Sequence, residues 1–436
     1  MWPYYPELLA TPVPRYTSYP TAAEFGAIDT APYAAALGGA EGDVSLYIHI
    51  PFCEKICFYC GCNTAAAGRR HRLESYLDAL HQEIELVAER LPRSARVRRI
   101  AFGGGSPNAL TPIDFVRLVD KLFVAFSLSD PVISIELDPR SLTEKWANTI
   151  GGIGIERVSM GVQTFAPHCM QAIGRVQAED TIVRSVDWLR AAGVTSLNFD
   201  LMYGLPGQTL HDLEDSLQRT RVLGADRVAL FGYAHVPHLV PRQKAIPADN
   251  LPGQQARFEM AERGYFYLAT HGYAPVGFDH FAKPGDPLAS ASLAGKVHRN
   301  FQGFTDDASP VLIGLGASAI SGFPDFLAQN VKDAGRYRMI TSGGMLPAAR
   351  GIERSADDRY RGTVIERLLC DGSARVRAKL LHEVRGSLAP FVVRDLISII
   401  DDRVAINPIG LPYARTIAAS FDSFRQESTR QFSSAV

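Results

Sequence analysis

Residues 45–62, which read SLYIHIPFCEKICFYCGC, decide the fold. The apolar run 45–50 predicts a buried β-strand, and a cysteine-rich loop follows it directly. Cys53, Cys57 and Cys60 have the spacing C-x3-C-x2-C, and Cys62 comes two residues later. Because the C-terminal ends of strands carry the sites of α/β folds, this loop predicts a functional site at a strand end.

The spacing of the thiols favours an iron–sulfur cluster. Three thiolates can hold an iron–sulfur cube and leave one iron open for a ligand. A closed zinc site needs a fourth ligand, and Cys62 follows Cys60 too closely to reach it easily. Zinc and a redox-active thiol loop remain the alternatives to a cluster at Cys53, Cys57 and Cys60. We expect Cys62 to support the loop, and Cys169 and Cys370 to be small apolar residues of the core.

The bulk composition bounds the size and the partners of the protein. The chain has 436 residues, 46% of them hydrophobic, and a net charge of −1. This length is enough for a barrel-sized domain and a smaller one. The net charge is too small to attract nucleic acid or an anionic membrane. No basic and apolar leader and no apolar run of about 20 residues occur, so we expect no signal peptide and no membrane span. Clustered cysteines in such a chain predict a reducing, cytoplasmic location.

From about residue 44 to 275 the chain alternates between strand-like and helix-like segments. Six strand–helix units in succession predict an α/β fold with parallel strands and right-handed crossovers. Both an open doubly wound sheet and a partial barrel fit this pattern. The six predicted strands are Ser45–Ile50, Val97–Phe102, Val132–Leu137, Ile155–Met160, Ser196–Met202 and Arg227–Phe231.

Unusual polar and glycine residues stand where these strands end. The turn 103–105 is Gly-Gly-Gly, and Glu136, Gln163, Asp200 and Ala234 end or follow later strands. Glycine lets a ligand approach the backbone, and carboxylates can accept from ribose hydroxyls or an amine. Alternatively, Glu136 and Asp200 pair with nearby arginines, for which the candidates are Arg140 and Arg175.

After about residue 300 the pattern becomes mainly helical, which predicts a separate C-terminal domain. Leu396–Ile406 carries two aspartates between apolar runs and predicts a small hairpin. Ile417–Arg430 predicts a last amphipathic helix.

Taken together, these residues resemble the oxygen-independent coproporphyrinogen III oxidases of the radical S-adenosylmethionine (SAM) superfamily. Besides the cysteine loop, the resemblance rests on segments 15–21 (RYTSYPT), 199–206 (FDLMYGLP), 233–235 (YAH), 279–282 (DHFA), 298–303 (HRNFQG) and 316–321 (GASAIS). It covers about residues 15–330 and is weaker beyond. Ser106 stands where the family more often has Thr, and Tyr59 where it more often has Phe.

The resemblance implies a partial (β/α)6 TIM-like barrel at residues 36–300. An N-terminal arm (1–35) would lie across its active site, and a mainly helical C-terminal domain (301–436) would cover it. It also implies a [4Fe–4S] cluster and two SAM molecules. The cluster-bound SAM would meet Tyr47, Gly104, Glu136 and Ile320. The second SAM would meet Tyr59, Gly105, Ser106, Gln163, Arg175, Asp200 and Ala234.

The implied reaction is the oxidative decarboxylation of two propionates of coproporphyrinogen III to vinyl groups, in heme biosynthesis. A 5′-deoxyadenosyl radical, generated from SAM at the cluster, would start it. Arg15, His298 and Arg299 are candidates for binding propionates; alternatively, they are surface residues or pin the C-terminal domain to the barrel. The family further implies a small electron donor such as flavodoxin or ferredoxin, and a monomer. The rival functions are another radical SAM tetrapyrrole enzyme, which methylates or opens heme, and a heme chaperone that retains the cluster.

Overall fold

The computed structural model of the protein describes residues 1–68 and 70–427. The β-strands are β1 (Gly26–Ala27), β2 (Asp43–Ile50), β3 (Phe52–Cys53), β4 (Ala65–Ala66), β5 (Arg96–Gly104), β6 (Leu128–Leu137), β7 (Arg157–Gln163), β8 (Ser196–Tyr203), β9 (Arg227–Gly232), β10 (Ala274–Val276), β11 (His280–Ala282), β12 (His298–Asn300), β13 (Gly303–Thr305), β14 (Val311–Leu315), β15 (Ile320–Gly322), β16 (Phe326–Asn330), β17 (Ala348–Glu353), β18 (Ser373–Arg375), β19 (Ile397–Ile400) and β20 (Arg403–Ile406).

The α-helices are α1 (Pro6–Leu9), α2 (Thr30–Gly38), α3 (Arg70–Ala88), α4 (Pro112–Ala125), α5 (Glu144–Ile153), α6 (Pro167–Ala172), α7 (Glu179–Ala191), α8 (Leu210–Val222), α9 (Gln254–Thr270), α10 (Pro287–Leu293), α11 (Ala334–Ser342), α12 (Ala356–Asp371), α13 (Ala378–Val392) and α14 (Ala414–Ala419).

Six parallel strands form the centre of the main sheet and confirm the six predicted units. Their order is β2-β5-β6-β7-β8-β9, and a helix follows each of them in the chain. Neighbours that are consecutive and parallel require the crossover helices that the sequence pattern predicts. The sheet continues outward from β2 and from β9 without pairing its two edges, so the α/β fold is an open, partial barrel.

A seventh parallel strand comes from beyond residue 300. β14 pairs with β2, with Gly314 opposite Tyr47, and the antiparallel strands β15, β16 and β17 extend the sheet from there. This part of the predicted C-terminal region therefore belongs to the same sheet as β2, the strand that precedes the cysteine loop. The boundaries of the three predicted domains stay a prediction.

The remainder of the C-terminal region combines helices α12–α14 with a second sheet. This sheet has the order β18-β20-β19, and β19 and β20 form the predicted hairpin at 396–406. The predicted helix 417–430 is wrong in its bounds, because α14 ends at Ala419 and is followed by a turn. Residues 428–430 of that prediction lie outside the described residues.

The N-terminal arm packs against both the barrel and the C-terminal region. The hydroxyl of Tyr16 donates to Asp422 Oδ2 at 2.9 Å, and the backbone N–H of Tyr5 donates to the Tyr413 hydroxyl at 2.8 Å. Tyr16 is 4% exposed, so this contact is buried. Arg15 Nη2 donates to Gly232 O at 3.1 Å, so the arm also contacts the barrel at the end of β9.

A partly buried ion-pair group closes the N-terminal end of the barrel. Asp306 lies 2.9 Å from Arg99 Nη2 and 2.8 Å from Arg157 Nη1. Both guanidinium groups lower the pKa of Asp306 below its ordinary value, against the effect of burial. Removing one partner of such a group is costly, so it anchors the segment that leads from β13 to β14. None of the helices in the described ranges has the length and apolar character that spanning a membrane requires.

Candidate active site

The cysteine loop leaves the barrel at the C-terminal end of β2. β3 pairs with β4 and closes the loop between them. The backbone N–H of Phe58 donates to Ile173 O at 3.0 Å, which ties the loop to the segment after β7. The loop is thus held at the end of the barrel where the strands β2 and β5–β9 terminate.

The four thiols of the loop have different surroundings. Cys53 Sγ lies 3.2 Å from Thr64 Oγ1, and burial raises the Cys53 pKa to about 11. The thiol of Cys62 donates a hydrogen bond to Cys60, which lowers the Cys60 pKa to about 6 and raises that of Cys62 well above its usual range. Cys62 therefore supports the loop by hydrogen bonding.

Beneath Cys57, one carboxylate holds two arginines against the sulfur. Arg140 Nη2 and Arg175 Nη1 each donate to Cys57 Sγ at 3.3 Å. Asp138 accepts from Arg140 Nη2 at 2.6 Å and from Arg175 Nη2 at 3.2 Å. Burial by itself raises the pKa of Asp138, but Arg175 and Arg140 hold it below its ordinary value. Neither arginine forms a salt bridge with Glu136 or Asp200, the alternative partners that the sequence left open.

The thiol spacing differs from that of a zinc site. Tetrahedral Zn–S bonds of about 2.3 Å place the sulfurs about 3.8 Å apart. Among the described residues, His168, Cys169 and Asp212 form a compact group whose ligand atoms all lie within 4.8 Å of one another. The loop cysteines form no such group within the described residues. Three thiols in one loop, with two arginines donating to Cys57, fit an anionic iron–sulfur cluster.

The glycine turn at the end of β5 packs against the cysteine loop. A Cβ at Gly105 would lie 2.5 Å from Phe52 O, and one at Gly104, whose φ is +111°, would lie 2.6 Å from the His49 ring. The N–H groups of Gly105 and Ser106 donate to Ile50 O and Phe52 O, both at 2.8 Å. Glycine is therefore required here for close approach of the two loops.

A cavity of about 250 Å³ lies beside the cysteine loop; we call it the cofactor cavity. Tyr47, Gly104, Glu136 and Ile320, the four residues predicted for the cluster-bound SAM, all line it, together with Cys62. Burial and the neighbouring Asp200 raise the Glu136 pKa to about 7. Glu136 accepts from the N–H of Gly104 at 3.3 Å. Its other oxygen has no protein donor among the described residues.

Residues predicted for a second SAM gather further along the same strand ends. Gln163 and Arg175 lie over Gly161, where an added Cβ would be 2.9 Å from Gln163 Nε2 and 3.0 Å from Arg175 Nη2. Asp200 is paired with Gly161 in the sheet. It accepts from Ser159 Oγ at 3.0 Å, and burial raises its pKa.

The remaining members of that set are Tyr59, Gly105, Ser106 and Ala234, which we call the rim. Gln243 Nε2 donates to both Tyr59 O and Ala234 O at 3.0 Å and so joins the cysteine loop to the end of β9. Ser106 is buried, and its hydroxyl accepts from the N–H of Asp138 at 3.2 Å. The structure therefore brings the seven predicted residues into one region, although Arg175 and Ser106 already have protein partners.

The basic candidates for carboxylate binding lie between the arm and the barrel. Arg15 donates to Gly232 O at 3.1 Å and lines a small cavity of about 50 Å³. Arg299 donates to Arg15 O from Nε at 3.2 Å and from Nη2 at 3.1 Å, and it stacks on Phe304 at 4.3 Å. His298 Nδ1 lies 3.3 Å from Glu366 Oε1. Arg299 thus holds the arm through the Arg15 carbonyl, a contact that the sequence did not predict.

A second and larger space, the arm cavity of about 450 Å³, lies under the arm. It is lined by residues of the arm, by His298 and Arg299, and by residues of α12. Phe301 and Ile320 line both this cavity and the cofactor cavity. A third cavity of about 340 Å³ inside the barrel also shares Phe301, and Glu136 and Asp200 line it.

Several residues of the site were not predicted. His49 and Phe301 line the cofactor cavity, Asp138 holds the two arginines, and Gln243 bridges the rim. His49 and Phe301 belong to segments quoted for the resemblance, and Asp138 directly follows a predicted strand, so the sequence carried a signal for these three. Gln243 lies in an irregular segment after β9 and carried none.

Comparisons with known proteins agree with this geometry. Residues 47–220 match the model of the Radical SAM superfamily. The chain is similar to oxygen-independent coproporphyrinogen III oxidases of Paracoccus denitrificans (38% identity, 94% of each chain) and Salmonella typhimurium (37% identity, 97% of this chain and 96% of the relative). The structure is similar to that of coproporphyrinogen III oxidase from Escherichia coli, a radical SAM enzyme. That match has a TM-score of 0.91 at 34% identity and covers 97% of this chain and 99% of that one.

Proposed function

Since this chain belongs to the oxygen-independent coproporphyrinogen III oxidases of the radical SAM superfamily, we propose that it converts coproporphyrinogen III to protoporphyrinogen IX without oxygen. Two propionate side chains each lose carbon dioxide and become vinyl groups, a step of heme biosynthesis. The enzyme is an oxidoreductase that uses a [4Fe–4S] cluster and SAM. When bound, these cofactors supply the 5′-deoxyadenosyl radical that removes a hydrogen atom from the propionate.

Cys53, Cys57 and Cys60 are the proposed cluster ligands. Their thiols stand in one loop, and Arg140 and Arg175 both donate to the sulfur of Cys57. Cys62 donates to Cys60 and is assigned no iron.

One observation carries the proposal: the four residues predicted for the cluster-bound SAM line one cavity that touches the cysteine loop. In this assignment the Glu136 carboxylate accepts from SAM, and the backbone at Gly104 leaves room for its amino acid part. Tyr47 and Ile320 enclose it from β2 and β15, the strands on either side of β14. The protein orients the cofactor and excludes water, and the cofactor supplies the radical chemistry.

A second SAM is proposed at the group of Gln163, Arg175, Asp200 and the rim residues Tyr59, Gly105, Ser106 and Ala234. The convergence of Gln163, Arg175 and Asp200 at Gly161 supports this assignment. Equilibrium binding to the cluster-loaded protein should give two SAM molecules per chain. Asp200→Ala should retain the cluster and bind one. A stoichiometry of one in the unmutated protein would assign this group to the substrate.

The finer details of substrate and partners are part of the same proposal. His298 and Arg299, in the wall of the arm cavity, and Arg15, beside it, are proposed contacts of the substrate carboxylates. A small electron donor of the flavodoxin or ferredoxin type would reduce the cluster of a monomeric, cytoplasmic enzyme.

Anaerobic incubation of the cluster-loaded protein with coproporphyrinogen III, SAM and a reductant tests the function. The expected products are protoporphyrinogen IX and two carbon dioxide molecules per tetrapyrrole. Methylated or ring-opened products would indicate a different radical SAM enzyme. Stoichiometric heme binding without turnover would indicate a chaperone.

A further inference from the structure

The arm cavity contains arginine residues that the site described above leaves unused. Arg354, just after β17, and Arg359, in α12, line it together with Arg299. Neither Arg354 nor Arg359 lines the cofactor cavity or the barrel cavity. Arg354 and Arg359 are five residues apart around the start of α12, and the fold brings the distant Arg299 into the same cavity wall.

No acidic residue in the described ranges neutralises these arginines by a salt bridge. The two carboxylates in the cavity wall are engaged elsewhere. Glu366 faces His298 Nδ1 at 3.3 Å and accepts from the N–H of Arg299 at 3.0 Å. Asp307 accepts from Ser45 Oγ on the barrel side. The wall of the cavity therefore carries an excess of positive charge.

Arg354 and Arg359 have different surroundings. Arg354 is fixed, because Nη1 donates to Tyr19 O at 3.3 Å and Nη2 to Phe323 O at 3.1 Å, whereas its buried Nε has no partner. Burial and the adjacent Arg359 lower the Arg354 pKa. Arg359 is exposed and makes one hydrogen bond, from Nη1 to Arg354 O at 3.0 Å. Its other guanidinium donors therefore remain available to a ligand at the cavity.

We propose that Arg359, with the fixed charge of Arg354 beside it, binds a carboxylate of the tetrapyrrole in the arm cavity. An arginine fork matches a carboxylate in two parallel hydrogen bonds, and two adjacent guanidinium groups that form no salt bridge within the described residues favour an anion between them. The bound carboxylate belongs to a propionate other than the one at the radical centre, since the cofactor cavity is reached past Phe301 and Ile320. This inference rests on the proposed function, because that function supplies the tetrapyrrole.

Binding of coproporphyrin III, the fluorescent oxidised form of the substrate, tests the assignment without turnover. Fluorescence titration of the cluster-loaded protein should show binding weakened about 10- to 100-fold in Arg359→Ala, the effect of losing one charge-assisted pair. Arg359→Glu should weaken it further. Arg375→Ala is the matched control, since Arg375 is an exposed arginine of β18 outside the cavity. It should bind as the unmutated protein does.

The tetramethyl ester of coproporphyrin III separates charge from shape. The ratio of its dissociation constants for Arg359→Ala and the unmutated protein should be close to one, because the ester has no carboxylate for Arg359 to bind. Equal coproporphyrin affinity in Arg359→Ala, Arg359→Glu and the unmutated protein would overturn the inference. If the unmutated protein neither binds nor decarboxylates coproporphyrinogen, the proposed function itself fails, and the two failures are distinguishable.

Discussion

Asp138 should set the reduction potential of the cluster through the arginines that it holds against Cys57. Arg175 Nη1 lies 3.3 Å from Cys57 Sγ and 3.4 Å from Asp138 Oδ2. The carboxylate is therefore at most about 7 Å from the sulfur, and Asp138→Asn leaves both guanidinium charges uncompensated there. A unit charge at roughly 7 Å in an effective dielectric of about 20 contributes about 2 kcal/mol. For a one-electron couple this raises the potential by about 100 mV.

Asp306→Asn is a matched control for this substitution. Asp306 also bridges two partly buried arginines, but at the opposite end of the barrel. Each variant should lower the free energy of unfolding by about 3 kcal/mol, since each leaves two guanidinium groups that are at least partly buried without their counter-ion. Chemical denaturation of the cluster-free proteins measures this loss. The unfolding data thus report a structural effect that both variants share.

An anaerobic redox titration followed by electron paramagnetic resonance separates the two variants. The potential should rise in Asp138→Asn and remain within about 20 mV of the unmutated value in Asp306→Asn, because charge at the far end of the barrel is screened over that distance. An unchanged potential in Asp138→Asn, with the cluster fully loaded, would refute this reasoning. The same rise in both variants would assign the effect to general loosening of the fold.

Three further outcomes follow from the site and its supports. Cys57→Ala should lose the reconstituted cluster, whereas Cys62→Ser should retain it, as iron and sulfide analysis would report. Lowering the pH from 8 to 6 protonates Glu136, whose pKa is about 7, so the affinity for SAM should fall about tenfold. In Glu136→Gln the affinity for SAM should be low at both pH values. Burial raises the Glu83 pKa from 4.5 to about 7. The stability that the protonated Glu83 gives the folded state is therefore complete below pH 4.5 and is lost as the pH rises through 7. Relative to Glu83→Gln, urea unfolding should show a loss of about 2.5 kcal/mol between pH 5 and 8.

The sequence predicts the part of the site that lies on consecutive strands. A strand followed by a turn brings its last residue to one end of a parallel sheet, so the positions of the cysteine loop, Gly104, Glu136 and Asp200 follow from order along the chain. The identity of their neighbours does not follow in this way. Glu136 and Asp138 both stand at the end of β6, yet only Asp138 meets Arg140 and Arg175. Which carboxylate pairs depends on side-chain direction and on where the loop after β7 returns.

Contacts between distant segments escape prediction for a related reason. β14 lies beside β2 although more than 260 residues separate Val311 from Val44. The loops that close such pairings are long, and no local pattern specifies their partner. The same holds for Arg354 and Arg359, whose positions in the sequence give no indication that they line one cavity with Arg299.

Glu83 shows how the structure secures this distant pairing. In the sequence it is a charged residue of a helix, which predicts exposure to solvent. In the structure it is fully buried, and it accepts from the N–H of Gly316 and from Asn330 Nδ2, both at 2.6 Å, and from the Tyr337 hydroxyl. Three donors after residue 310 thus converge on one carboxylate of α3. Because β15 follows Gly316 and carries Ile320 to the cofactor cavity, a carboxylate remote from the chemistry positions one wall of the SAM site.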